Sequence, residues 1–236
     1  MTAKELFKEI IKKDAPRIKL LGDSITHGVG GTGFKQDGEH IVGEFSRNPN
    51  GLCWAKSFAE LMAERYGATV VNNACTGTKI EFIIENFDTL VNKDDDLVIC
   101  TIGTNNRHQY KNTGPAREKN EMADDFYNNI LKLDGMFRGA NIPVIFVANI
   151  PASAKNEEGA EDYWRILHMN DIRDLYKLAS VECGFALISL YDMMNEYLRR
   201  VGKSLDSVLK DGLHPNDEGY EIMLKLILDA LGETAI

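Results

Sequence analysis

The sequence predicts an α/β fold: a central, mostly five-stranded parallel sheet with helices on both faces. One observation carries that expectation. Short apolar runs, too brief for helices, alternate along the chain with longer stretches of helical spacing. Strand–helix alternation of this kind is the pattern of a parallel sheet whose crossovers cover both faces. The absence of an internal repeat, a low-complexity tract or a dividing linker adds a second expectation, that residues 1–236 form one domain.

Strands are expected at residues 18–21, 69–72, 97–102, 144–148 and 186–190. Helices are expected over 54–66, 117–138 and 161–181, and a last one over 218–231 follows the final strand. In that last segment Leu224, Ile227, Leu228 and Leu231 recur at helical spacing, with Gly232 as the stop. At the N-terminus, Leu6, Phe7, Ile10 and Ile11 interleave with Lys and Glu, which reads as a short amphipathic helix over about 2–13. Trp54 opens a helical stretch and is expected in the core.

Two regions break the rhythm. Residues 28–51 hold seven glycines and Pro49 and form a Gly-rich insertion. Residues 151–159 make a smaller polar one. Long ordered loops in compact domains are often functional. Gly28-Val29-Gly30-Gly31-Thr32-Gly33 satisfies the spacing of a dinucleotide fingerprint. Its context argues against that use, because the first glycine does not directly follow a strand and no helix pattern follows the last.

Composition excludes several classes. Of 236 residues, 44% are hydrophobic and 27% charged, enough apolar material for a sizeable core and too evenly spread for a disordered chain. No apolar run approaches the ~20 residues of a membrane span. A balance of 27 basic against 36 acidic residues gives a net charge of -9, which repels a phosphate backbone, so no nucleic-acid partner is expected. The four cysteines are widely spaced without a CxxC, and the five histidines show no HExxH. Neither a disulfide scaffold nor a metal or other cofactor is expected. The first residues contain no signal-peptide apolar region, so a cytoplasmic location is expected; the oligomeric state stays open.

Four short segments carry candidate chemistry, each after a strand or in a loop, where open parallel sheets build their sites. Gly22-Asp23-Ser24-Ile25 follows the first strand and can expose a serine hydroxyl on a rigid base. Asp211-Gly212-Leu213-His214-Pro215 precedes the last helix. A serine nucleophile needs a base for its proton, and the base needs a carboxylate to fix its tautomer; an Asp three residues before a His can supply both from one turn. Asn73-Ala74-Cys75-Thr76-Gly77 and Gly103-Thr104-Asn105-Asn106 follow the second and third strands. They offer a closely approachable backbone N–H and an amide N–H, the donors that a developing oxyanion needs.

Together and in this order the four segments resemble the SGNH hydrolases, the GDSL esterase/lipase family, over nearly the whole span from Gly22 to His214. The resemblance implies a three-layer flavodoxin-like fold and hydrolysis of carboxylic esters. By it Ser24 is the nucleophile and first oxyanion donor, Gly77 and Asn105 are the other oxyanion donors, His214 is the general base and Asp211 its partner. It implies no cofactor. The third block of the family usually reads Gly-x-Asn-Asp; here Asn106 stands in place of the final Asp.

Asp23, Arg107 and His108 lie beside these blocks and are candidate substrate contacts, Arg107 as an anchor for an anionic group. His27 lies close to Ser24 but lacks the carboxylate spacing that Asp211 gives His214, and His168 sits in a helical stretch. The expected substrate is a short acyl ester, above all acetyl on a small molecule or glycan. Longer acyl chains, as in a lysophospholipase or thioesterase, are the alternative, and a non-catalytic binding protein on the same scaffold is a further one.

Overall fold

A computed structural model describes residues 1–35 and 51–233. Its centre is a five-stranded, all-parallel sheet of β1 (Arg17–Gly22), β2 (Thr69–Asn72), β3 (Leu97–Thr101), β5 (Val144–Ala148) and β7 (Ala186–Ser189) in the order β2-β1-β3-β5-β7. Counting only these strands, the order is the 2-1-3-4-5 of flavodoxin-like sheets. The order reverses between β1 and β3, so the crevice of such a sheet falls at their C-terminal ends.

The inner strands are largely apolar because they serve two cores, whereas the edge strand β2 is only partly buried. Ile18, Leu20, Leu97, Ile99, Ile145 and Val147 point to one face. There they meet α1 (Ala3–Ile10), α3 (Trp54–Tyr66), α9 (Leu190–Val201) and α10 (Asp217–Leu231). Leu21, Val98, Cys100, Val144, Phe146 and Ala148 point to the other face. Its cover is α4 (Ile80–Glu85), α5 (Phe87–Leu90), α6 (Lys119–Gly139) and α8 (Met169–Cys183). Side chains alternate across a strand, so a strand buried on both sides must be apolar throughout. Trp54 is fully buried in the first core.

Several elements differ from the sequence expectation. The N-terminal helix ends at Ile10 rather than near 13, and Thr2 and Glu5 close a capping box at its start. The stretch 161–181 is not one helix. Tyr163–Arg165 forms a strand, β6, antiparallel to β4 (His108–Tyr110), and α8 starts only at Met169. The adjacent aromatic residues Tyr163 and Trp164 favour a pleated ribbon, and the partner strand lies far upstream in sequence. Helix α9 follows β7 directly, with Ser189 as its cap, where the sequence reading carried a strand through 190 and no helix after it. Two further helices among the described residues are short, α2 (Ser24–His27) and α7 (Ala154–Glu157). Residues 36–50 of the Gly-rich insertion lie outside the described residues. Among the described residues, no helix is long and apolar enough to cross a membrane.

Candidate active site

The end of β1 is crowded. A Cβ at Gly22 would run into Thr101 Oγ1 and Thr26, so only glycine lets β1 pass β3 and turn into α2 at this point. Asp23 caps that turn, its carboxylate accepting the Ile25 N–H at 3.0 Å. Ser24 is thus the first residue of α2 and is held on a rigid base at the C-terminal edge of the sheet.

His214 bridges Ser24 and Asp211. Its Nε2 lies 2.8 Å from Ser24 Oγ and its Nδ1 lies 2.7 Å from Asp211 Oδ2. The other Asp211 oxygen accepts the backbone N–H groups of Leu213, at 3.0 Å, and His214, at 2.8 Å. An ionised carboxylate can only accept, so the network assigns the imidazole proton to Nδ1 and leaves the Nε2 lone pair facing the serine hydroxyl. Partial burial works to raise the Asp211 carboxyl, but the hydrogen bonds from the His214 ring and from the two backbone N–H groups outweigh it and hold the pKa below the usual value.

The loop that carries His214 is fixed from several sides. Leu209 and Pro215 form a β-bridge, and the Lys210 N–H donates to the His214 carbonyl at 2.8 Å. Gly212 adopts a left-handed φ of 85° against Ser153, whose N–H donates to the Gly212 carbonyl at 2.8 Å. Behind the loop, Asn216 caps α10, and Tyr220 of that helix donates to the carbonyl of Val29 at 2.7 Å. The start of the Gly-rich segment therefore packs against the same loop, with the Thr32 N–H donating to Asp217 at 2.7 Å.

Gly77 lies in the turn after β2 with φ +82°, a left-handed conformation with open space around it. The turn is tied to the end of β1 by the Cys75 N–H, which donates to the Gly22 carbonyl at 3.0 Å. Asn105 lies in a 3-10 turn, Thr104–Arg107, after β3. Its Nδ2 donates one hydrogen to the Thr78 carbonyl at 3.0 Å; an amide carries two. The turns bearing Gly77 and Asn105 therefore touch each other. A cavity of about 560 Å³ opens beside Gly77, lined by Thr76, Thr78, Lys79, Glu81, Phe82 and Glu85 among others.

The three residues expected to contact substrate have other surroundings. Asp23 is fully buried; besides capping α2 it faces Asn149 Nδ2 at 3.4 Å, and burial raises its carboxyl pKa. Arg107 is also fully buried, and its guanidinium donates to the Thr104 carbonyl at 2.9 Å, to Glu157 at 2.7 Å and to Asn156 at 3.2 Å. Rather than facing the cleft as an anionic anchor, it ties the Asn105 turn to α7. His108 lies in β4 between the rings of Tyr110 and Tyr163, with Arg165 Nη1 at 3.5 Å. Burial, then the nearby cations Lys79, Arg165 and Arg107, push its pKa down to about 4, so it is neutral near pH 7.

His27 is buried against Phe34, its Nδ1 3.0 Å from Thr76 Oγ1. His168 marks the start of α8, where its backbone N–H donates to Asp171 at 2.8 Å. Sequence reasoning overlooked Asn149, which follows β5 and links Asp23 to Thr104 through its Nδ2, 3.0 Å from Thr104 Oγ1. Its place just past a strand end was the available signal. Among the described residues, no group of three or more His, Cys, Asp or Glu side chains is arranged to hold a metal ion.

Residues 20–222 match the model of the GDSL-like lipase/acylhydrolase family. The chain belongs to that family. It is an ester-hydrolysing enzyme. The fold is shared with solved structures of low sequence identity. One is a catalytic mutant of Axe2, an acetylxylan esterase from Geobacillus stearothermophilus, at a TM-score of 0.69 and 19% identity, covering 93% of this chain and 95% of that one. Another is LAE5, an alpha/beta hydrolase enzyme from the metagenome of Lake Arreo, Spain, at a TM-score of 0.69 and 18% identity, covering 96% and 100%. No curated protein sequence matches the chain.

Proposed function

We propose that this esterase works through an acyl-serine intermediate on Ser24 and that its substrates are short acyl esters, above all acetyl groups on carbohydrate. The observation that carries the mechanism is the unbroken line from Ser24 Oγ through His214 to Asp211, at 2.8 and 2.7 Å. His214 Nε2 takes the hydroxyl proton as Oγ attacks the acyl carbon. The backbone N–H groups of Ser24 and Gly77 and the second amide hydrogen of Asn105 receive the oxyanion. Collapse breaks the ester C–O bond, and the departing alkoxide takes the proton from His214 Nε2. Water, losing a proton to the same nitrogen, then attacks the acyl-serine, and as the acyl C–Oγ bond breaks His214 returns that proton to Ser24 Oγ and the acid leaves. Asp211 orients the ring and balances the imidazolium charge throughout.

Support for the substrate class comes from fold relatives such as Axe2, an acetylxylan esterase. The reading treats the chain as one domain, with no cofactor. None of the four cysteines is in a disulfide, in keeping with a reducing cytoplasm as the proposed location. Two measurements test the proposal. A fluorophosphonate should label the parent protein and not Ser24→Ala; equal labelling of both would end the nucleophile assignment. Rates on acetyl, octanoyl and decanoyl p-nitrophenyl esters should favour acetyl. A preference for the long chains would replace the short-acyl reading with a lysophospholipase or thioesterase.

A further inference from the structure

The turns bearing Gly77 and Asn105 follow β2 and β3, which are not neighbours in the sheet, because β1 runs between them. Their relative position therefore depends on side-chain bonds across the gap. Asn105 supplies one, to the Thr78 carbonyl. Asn106 supplies two more. Its Oδ1 accepts the Ile80 N–H at 3.1 Å, and its Nδ2 donates to Glu81 Oε2 at 2.8 Å. Ile80 begins α4, whose own cap residue Lys79 makes no side-chain capping bond, so Asn106 caps that helix from another segment. The other oxygen of Glu81 accepts from Asn129 Nδ2 of α6 at 3.2 Å.

The chemistry of these partners leaves the Asn106 amide one orientation. A backbone N–H demands its oxygen, and a carboxylate demands its nitrogen. Asn106 is buried, and Lys79 is the nearby cation that interacts with Glu81. An aspartate at position 106, the residue this family's third block usually carries, could still accept from Ile80. It would have no hydrogen for Glu81 and would set two carboxylates against each other where a 2.8 Å hydrogen bond now stands.

We propose that Asn106 and Glu81 form a positioning pair that fixes the separation of the two oxyanion donors, Gly77 and Asn105, and that the acid at 81 is the reason position 106 is an amide in this chain. The inference rests on the esterase reading above. Glu81 also lines the cavity beside Gly77, and the pair acts on turnover by holding the start of α4 and the Thr104–Arg107 turn in register. Both donors must lie within hydrogen-bond reach of an oxygen whose charge exists only in the transition state, so a shift between them lowers kcat while leaving ground-state binding largely intact.

The test is a pair of variants assayed on p-nitrophenyl acetate, with thermal unfolding measured alongside. Asn106→Asp should lower kcat roughly 10- to 100-fold, less than complete loss of one oxyanion donor, with KM within about twofold. Adding Glu81→Gln to it should restore kcat to within about threefold of the parent, because the new amide donates to the introduced carboxylate. Rescue of turnover by a second substitution would not follow from a purely structural fault at 106. The pair is overturned if Asn106→Asp keeps kcat within about threefold of the parent, or if the folded double variant is no faster than the single one. A parent enzyme that releases no p-nitrophenol would overturn the esterase reading itself, and the pair with it.

Discussion

Replacing Asp211 by Asn changes one atom and should reverse the role of His214. In the native site both Asp211 oxygens accept: one takes the Leu213 and His214 backbone N–H groups, the other the His214 ring N–H. An asparagine must keep its oxygen on the two backbone donors, which leaves its NH2 facing Nδ1. Nδ1 then becomes the acceptor and the proton moves to Nε2, which can only donate toward Ser24 Oγ and cannot take its proton. For a buried aspartate this inversion costs about 10⁴ in turnover, or roughly 5.5 kcal/mol of transition-state stabilisation. The side chain of Asp211 is 53% exposed, so water competes for Nδ1 and the native tautomer is partly recovered. A loss in kcat between about 10² and 10⁴ is therefore expected, with KM little changed. The assay is the steady-state rate on p-nitrophenyl acetate, with unfolding followed from pH 7 to pH 3. Because the native Asp211 pKa is held below its unfolded value, its contribution to stability is present above the usual carboxylate range and disappears as pH falls through the folded pKa. Asp211→Asn should lack that part of the acid dependence. A folded variant with more than about a third of native kcat would refute the tautomer argument.

Three further outcomes follow from the geometry. Asn105→Ala should lower kcat by about 10²–10³ on the same ester, while fluorophosphonate still marks Ser24 over long incubation; an unchanged rate would remove Asn105 from the oxyanion hole. Arg107→Met should lower the melting temperature sharply, since it breaks a buried ion pair worth about 3–5 kcal/mol when one partner is lost, and should leave KM for neutral and anionic acetyl esters alike; a selective rise in KM for the anionic ester would reinstate Arg107 as a substrate anchor. Asp23→Asn should raise thermal stability near pH 7, because burial lifts the native carboxyl pKa and makes the ionised form costly there, whereas Asn can still accept the Ile25 N–H; a lower melting temperature at pH 7 would show that the charge itself is needed.

What was legible in the sequence divides along the range of the interactions. The inner sheet strands announce themselves because burial on both faces makes them apolar at consecutive positions, as in Leu97–Thr101 and Val144–Ala148. The Asp211–His214 relation is local, three residues within one turn, and could be read without knowing the fold. Arg107 shows the opposite case. A lone basic residue beside Asn105 reads as a ligand anchor because its counter-ion, Glu157, is fifty residues away and ends a helix of only four residues, α7, too short to show a pattern in sequence. The ribbon of His108–Tyr110 and Tyr163–Arg165 was hidden for the same reason, since each half is too short to signal a strand alone. Helix α9 was legible and overlooked: Leu190, Met194 and Leu198 recur every four residues and are all buried.

The sheet order explains why segments so far apart in sequence meet. Strand β1 lies between β2 and β3, and parallel strands all end on the same side, so the loops after Gly22, Asn72 and Thr101 must emerge side by side. The first of these carries Ser24, the second Gly77 and the third Asn105. His214 comes from no strand end. It reaches Ser24 because α10 packs on the face behind β1, and Tyr220 of that helix bonds to the Ile25 carbonyl at 3.1 Å, fixing the helix against α2. Any change that slides α10 along the sheet therefore moves His214 relative to Ser24 without touching either. Tyr220→Phe is the smallest such change: it removes only the hydroxyl, which leaves the Val29 and Ile25 carbonyls without that donor in a buried setting. The cost of such an unsatisfied group is about 1–3 kcal/mol in stability. A fall in kcat larger than the fall in folded fraction would show the His214–Ser24 distance responding to the helix; equal falls would confine Tyr220 to stability.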